Sequence, residues 1–309
     1  MISRRLVRIK TLQTLYSWKQ SQEVPPAQFS KELFERLTLV HECYLFLLDL
    51  PYQLRDYAIA KQSFEKGKYY PSQEKIDHLS LLNGTNLLDQ VHNQVLHAGY
   101  YGFNWEDLKN HFEGWLTDLK EYDFAKDYNI FFTPNADQQK EFLENTYYAF
   151  LETHEGFNNV IEEIYPVWFD DAPYTVRDIL KTLELSKSIE NLNIKPGVKS
   201  FDEEAVWAAQ MLKDTIENSQ MFESLIAEVT QNWDPSRIAV MDLLILKMTL
   251  TEFLHCPEIP VRVTINEYLE ITKNYSTPNS SKFVNGIMDK LRIELESRGE
   301  IRKTGRGLK

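Results

Sequence analysis

Cysteine is almost absent from this chain. The 309 residues include two, Cys43 and Cys256, far apart and in apolar helical contexts, so reduced, buried thiols are expected rather than a disulfide framework or a thiolate metal set. Glycine (11) and proline (12) are scarce for the length, which disfavours a many-turned sheet and makes an all-α chain the expected fold. No apolar run approaches the ~18 residues of a membrane span; even Leu243 to Leu246 is bracketed by Asp242 and Lys247. The amino terminus has arginines but no apolar segment after them, so no secretory signal and no membrane association are expected, and the cytoplasm is the expected location. Glycine-rich phosphate loops, dinucleotide fingerprints and H-E-x-x-H are all missing. His92 and His97 stand five apart, which spoils a shared helix face, and no cysteine or acidic cluster completes a metal set. The Asp170-Asp171 pair reads as a helix-terminal or solvated feature of an acidic chain. No catalytic activity, cofactor or metal is therefore expected.

What is present is the 43% hydrophobic and 26% charged content of a globular protein, with charge distributed unevenly. Residues 1–22 hold Arg4, Arg5, Arg8, Lys10 and Lys19 with no acid, or +5, and residues 297–309 sum to +4. With a net charge of −12, the body between them carries −21. Both ends are basic and the middle is acidic, a pattern that bears on partners rather than on fold.

Ser3 to Ser21 reads as a helix with Ile2, Leu6, Ile9, Leu12 and Tyr16 on one side and Arg4, Arg8, Thr11, Leu15 and Lys19 on the other. From charge pattern alone, a solvated face pairing with the acidic body outweighs RNA binding, and Tyr16 is expected in the core. Near the other end, Ile259 to Leu295 reads as two amphipathic helices. Val261, Ile265, Tyr268, Leu269 and Thr272 share one stripe; Phe283, Ile287, Leu291 and Leu295 share the other. Asn266 and Asn285 lie inside these runs and are expected to make buried interhelical hydrogen bonds rather than to contact a ligand. Asp242 and Lys247 are read as the solvent edges of an apolar helix.

Between the ends, a Val24-Pro25-Pro26 break leads into a Leu- and Phe-rich helix, then a polar stretch from Lys66 to Gln73 and helical patches as far as a linker at 131–135. A faint repeat relates Phe157–Trp168 to Phe222–Trp233 at an offset of 65. Two copies fall short of a solenoid.

The chain resembles the NusB family in RRLVRIKTLQTLYSWKQSQ at its start, in NWDPSRIAVMDLLILKMTLTEFLHCPEIP, and above all in KFVNGIMDK from Lys282 to Lys290. The resemblance covers about 1–21 and 222–296, with a looser helical match at 136–221; Lys247 stands where the family usually has arginine, which keeps the charge but not the planar fork. It implies an all-α helical bundle of two subdomains: 1–62 amino-terminal, 201–296 carboxy-terminal, with 63–200 a helical insertion and 297–309 a basic tail expected to be disordered. It further implies a non-catalytic RNA-binding antitermination factor. Such a factor pairs with NusE, a small-subunit ribosomal protein, binds boxA-type RNA and joins the transcription elongation complex. Arg4, Arg5 and Arg8 are the first expected RNA contacts, with Lys273 and Lys282 after them. Tyr16, Trp233, Asn266, Phe283 and Asn285 are expected in structural roles. The rival reading is a helical protein-interaction scaffold with vestigial RNA binding. A related module also begins ribosomal-RNA cytosine methyltransferases, but the glycine-rich half such enzymes need is missing here.

Overall fold

Helices follow one another through the described residues, as the shortage of glycine and proline anticipates. The computed structural model describes residues 3–21, 25–73, 86–99, 102–128, 135–185, 197–230 and 238–308. Among these residues there is no strand. By internal contacts the chain divides into two units: residues 1–3 with 38–201, and residues 4–37 with 202–309. The division groups the first helix with the carboxy-terminal residues rather than with 38–62, and its cuts after residues 37 and 201 each fall inside a continuous helix.

The unit of residues 4–37 and 202–309 contains α1 (Arg4–Gln20), the start of α2 (Pro26–Leu48), and α10 (Gly197–Glu217) from residue 202. It continues with α11 (Ser219–Val229), α12 (Val240–His255), α13 (Val261–Tyr275) and α14 (Ser280–Ser297). Its centre is α12, against which α1, α11, α13 and α14 all pack. The α12 sequence is apolar nearly all round, the signature of an enclosed helix, and every residue from Leu244 to Phe253 is buried.

Asp242 and Lys247 therefore do not mark solvent edges. Asp242 is buried and accepts hydrogen bonds from the Ser276 and Ser280 hydroxyls at 2.6 and 2.8 Å, which ties the start of α14 to α12. Lys247 is 0% exposed, and its ammonium donates to Ser219 Oγ at 2.6 Å and Glu223 Oε1 at 2.5 Å. Burial lowers its pKa, partly offset by Glu223. An enclosed helix can carry charges only where a neighbour answers them.

The basic tail is not disordered where it is described. Lys303 Nζ donates to the carbonyl oxygens of Glu252 and Cys256 at 2.8 and 2.9 Å, and Thr304 N donates to Pro257 O at 2.9 Å. The last turn of α12 leaves carbonyls without helical partners, and a cation there satisfies them and suits the negative helix end. Gly305–Leu308 then forms a 3-10 turn in which a side chain at Gly307 would collide with Pro257 O.

The other unit holds the remainder of α2, α3 (Leu50–Lys66), α4 (Asn86–Ala98), α5 (Phe112–Glu121) and α6 (Asp123–Tyr128). After these come α7 (Ala136–Tyr148), α8 (Glu155–Ile164) and α9 (Trp168–Leu185). Its core is aromatic: Phe46 stacks on Trp105 at 3.8 Å between centroids, and Trp115 meets Phe157 at 4.9 Å. The Tyr147 hydroxyl donates to Leu48 O, and Trp168 Nε1 donates to Asn158 Oδ1 at 2.7 Å, so the polar ends of these two buried rings are satisfied; the Nε1 of buried Trp105 has no hydrogen-bond partner among the described residues. Asp170 and Asp171 stand in the first turn of α9, as a helix-terminal pair; Asp170 is exposed, but Asp171 is buried and accepts from the Tyr165 hydroxyl. The faint repeat corresponds to α8 and α11, each burying its own Phe and Ile: Phe157 with Ile161, Phe222 with Ile226. Cys43 is buried and Cys256 half-buried, and both are free thiols. No helix among the described residues is long and apolar enough to cross a membrane.

Candidate nucleic-acid interface

The three arginines of α1 have three different fates. Arg8 is 2% exposed and makes a bidentate pair with Glu252 of α12, Nε to Oε1 at 2.6 Å and NH2 to Oε2 at 3.1 Å. The same carboxylate accepts from the Tyr268 hydroxyl at 2.9 Å and from Thr264 Oγ1 at 3.0 Å. The guanidinium also lies over the rings of Trp207 and Tyr268, 5.3 and 5.7 Å from their centroids. Burial alone would lower the Arg8 pKa; the charge and hydrogen bond of Glu252 outweigh it and hold the group above its ordinary value. Burial first, and then the Glu252 charge, push Tyr268 well above the usual phenol range. Arg8 is thus an internal bolt between α1, α12 and α13, enclosed beyond the reach of a phosphate.

Arg5 is half-buried and bidentate on Glu267 of α13, at 2.9 and 2.7 Å. Arg4 is exposed; its Nε sits 3.4 Å from Glu204, and its guanidinium lies 5.3 Å from the centre of the Trp207 ring. The expected basic stripe is broken within one turn, because Thr11 and Leu15 are buried along with Arg8. Buried Thr11 and Thr14 turn their hydroxyls back to the carbonyls of Val7 and Lys10, both at 2.9 Å. Tyr16, expected in the core, is 43% exposed.

Beside Arg5, α13 and α14 form an open groove of about 610 Å³. Arg5, Asn266, Lys273, Ser281, Lys282 and Asn285 line it, with Leu269 and Glu270. The expected buried amide pair does not occur: Asn266 is exposed and Asn285 half-buried, and neither makes a hydrogen bond among the described residues. Both lie beside apolar stripes, at positions that the neighbouring helix does not cover. Phe283 is half-buried. Lys273 pairs with Glu270 at 2.5 Å, which holds Glu270 below its ordinary range. Lys282 is exposed and has no ion pair among the described residues. Trp233 lies outside the described residues.

Pattern reading of the sequence singled out Arg5, Asn266, Lys273, Lys282 and Asn285 as site residues and put Tyr268 on an apolar stripe, but it did not pair the α1 arginines with Glu252 and Glu267 or place Trp207 beside them. One signal was available. A glutamate inside LLILKMTLTEFLH needs a cation, and an arginine in a helix that is otherwise buried needs an anion. Among the described residues no cluster of three or more His, Cys, Asp or Glu side chains could hold a metal ion.

The family model described as NusB family matches residues 186–292. Two similar proteins, each named Transcription antitermination protein NusB, come from Salinibacter ruber (strain DSM 13855 / M31) and Chloroherpeton thalassium (strain ATCC 35110 / GB-78). The first is 38% identical over 117 residues, 38% of this chain and 69% of the relative. The second is 40% identical over 128 residues, 41% of this chain and 59% of the relative, less than two thirds of its length. No solved structure matches the chain.

Proposed function

The chain belongs to the NusB family, and from that premise we propose that it is a non-catalytic, cytoplasmic RNA-binding transcription antitermination factor. In this reading it pairs with the ribosomal protein NusE, binds boxA-type RNA in ribosomal RNA transcripts and acts within the transcription elongation complex.

The observation that carries the RNA part is the groove between α13 and α14. Cations stand along it, and the amides of Asn266 and Asn285 line it with no hydrogen-bond partner among the described residues. Ammonium and guanidinium groups fix phosphates without reading sequence, while amides can donate to and accept from base edges. Single-stranded RNA offers those edges unpaired. Exposed pairs such as Lys273–Glu270 contribute little to stability, so a phosphate can compete for the lysine. Arg5, Lys273 and Lys282 then hold the strand, Arg4 adds a contact outside the groove, and Arg8 secures the helix that presents Arg5. The acidic body suits a basic ribosomal partner, since opposite potentials steer and orient association.

Fluorescence anisotropy of a labelled boxA-type RNA and a scrambled control, with and without NusE and at two salt concentrations, tests this. Tighter and sequence-selective binding in the presence of NusE is expected. Equal, weak and strongly salt-dependent binding of both RNAs would overturn it.

A further inference from the structure

The unit of residues 38–201 is acidic, yet at the end of α3 the local charge changes sign and aromatic rings come to the surface. Between positions 61 and 73 stand Lys61, Lys66 and Lys68 against the single acid Glu65. Beyond Gly67 the chain turns out of the helix, and Tyr69 and Tyr70 are 89% and 85% exposed, edge to face at 4.7 Å. Phe64, also exposed, lies under the Lys68 ammonium at 5.3 Å. Lys68 pairs with Glu65 and Lys61 with Glu113, whereas Lys66 donates to the side-chain carbonyl of Gln62 at 3.2 Å and meets no carboxylate among the described residues.

We infer that Phe64, Tyr69 and Tyr70, together with Lys61, Lys66 and Lys68, form a second nucleic-acid contact that takes single-stranded RNA by base stacking without reading its sequence. Isolated exposed aromatics are ordinary, but three within seven positions expose apolar area that contributes nothing to the core. Every base has a π face, so the uncovered faces of the two tyrosine rings, which stand at 84° to each other, accept unstacked bases of any identity, and lysines around them answer the phosphates. An acidic protein segment would meet the lysines but leave the exposed ring faces without a planar partner, which favours RNA. The inference shares only its ligand class with the function proposed above and does not depend on the groove.

The test uses the full chain, a labelled uridine oligomer and the boxA-type oligomer, with two sets of variants. Stacking contributes about 1–3 kcal/mol per base, so Tyr69→Ala/Tyr70→Ala is expected to weaken uridine-oligomer binding tenfold or more. Tyr69→Phe/Tyr70→Phe, which keeps the rings, is expected to stay within about twofold of the parent, because stacking on the π face needs no hydroxyl. Lys282→Ala/Asn285→Ala, in the groove, is expected to weaken the boxA-type oligomer more than the uridine oligomer, because the amide reads base edges whereas the lysine answers the phosphates of either strand. Because Tyr69 and Tyr70 are outside the core, folding is preserved, and circular dichroism checks it. Unchanged uridine binding in the alanine variant, equal loss in the phenylalanine variant, or tyrosine-dependent binding of an acidic peptide but not of RNA would each overturn the inference. The groove stands or falls separately, on the response of the boxA-type oligomer to Lys282→Ala/Asn285→Ala.

Discussion

Arg8 and Glu252 are 244 positions apart in the chain and bidentate in the interior of one unit, with both side chains almost wholly shielded from solvent. Removing one partner of such a pair strands a charge, whereas removing both strands none. Arg8→Met or Glu252→Leu alone is therefore expected to cost about 3–5 kcal/mol in chemical denaturation. The double substitution is expected to recover most of that loss. A double variant as unstable as the sum of the singles would show that the pair is not the coupled unit described here.

Asn266 offers the converse case. If its amide faces an open groove, Asn266→Ala changes stability by no more than about 0.5 kcal/mol, whereas loss of a buried hydrogen bond costs about 1–3 kcal/mol. Thermal denaturation separates the two, and a large loss would return Asn266 to the core.

Lys282 and Arg8 should separate RNA contact from scaffold. Lys282→Ala is expected to leave folding intact and to lower the slope of log affinity against log salt by ~0.7, one phosphate contact on a single strand. An unchanged slope would remove Lys282 from the interface.

The tail makes a local prediction. Lys303→Ala removes two charge-assisted hydrogen bonds to the end of α12, each worth about 1.5–3 kcal/mol. Trypsin cleavage after Arg302 is then expected to accelerate well before global unfolding. Equal cleavage rates in parent and variant would mean that the tail is held by something else.

His41, in the unit of residues 38–201, supplies a pH dependence. Burial pushes it down from an ordinary 6.5 to about 4. Between those values the unfolded chain binds the proton and the folded chain does not, so this contribution to stability is complete above about 6.5 and is lost as pH falls towards 4. His41→Gln is expected to flatten the acid limb of a stability–pH curve over that window. A parallel curve for the variant would assign the limb to other groups.

The sequence by itself determined that this chain is helical and to which family it belongs. Scarce glycine and proline, 3.6-residue periodicity and the KFVNGIMDK run are local properties, readable without knowing what packs where. Only the tertiary structure decided which charges face solvent. Periodicity gives a residue its angle on a helix, not whether a neighbour covers that angle: Arg8 lies on a stripe that looked solvated and is enclosed, while Asn266 lies inside an apolar run that was expected to bury it and is exposed. The same holds for Lys247 and for the tail, whose partners, Glu223 and the carbonyls that end α12, lie 24 to 51 positions away in the chain. A charge is stable indoors only beside its counter-charge, and distances of that kind are set by packing rather than by pattern.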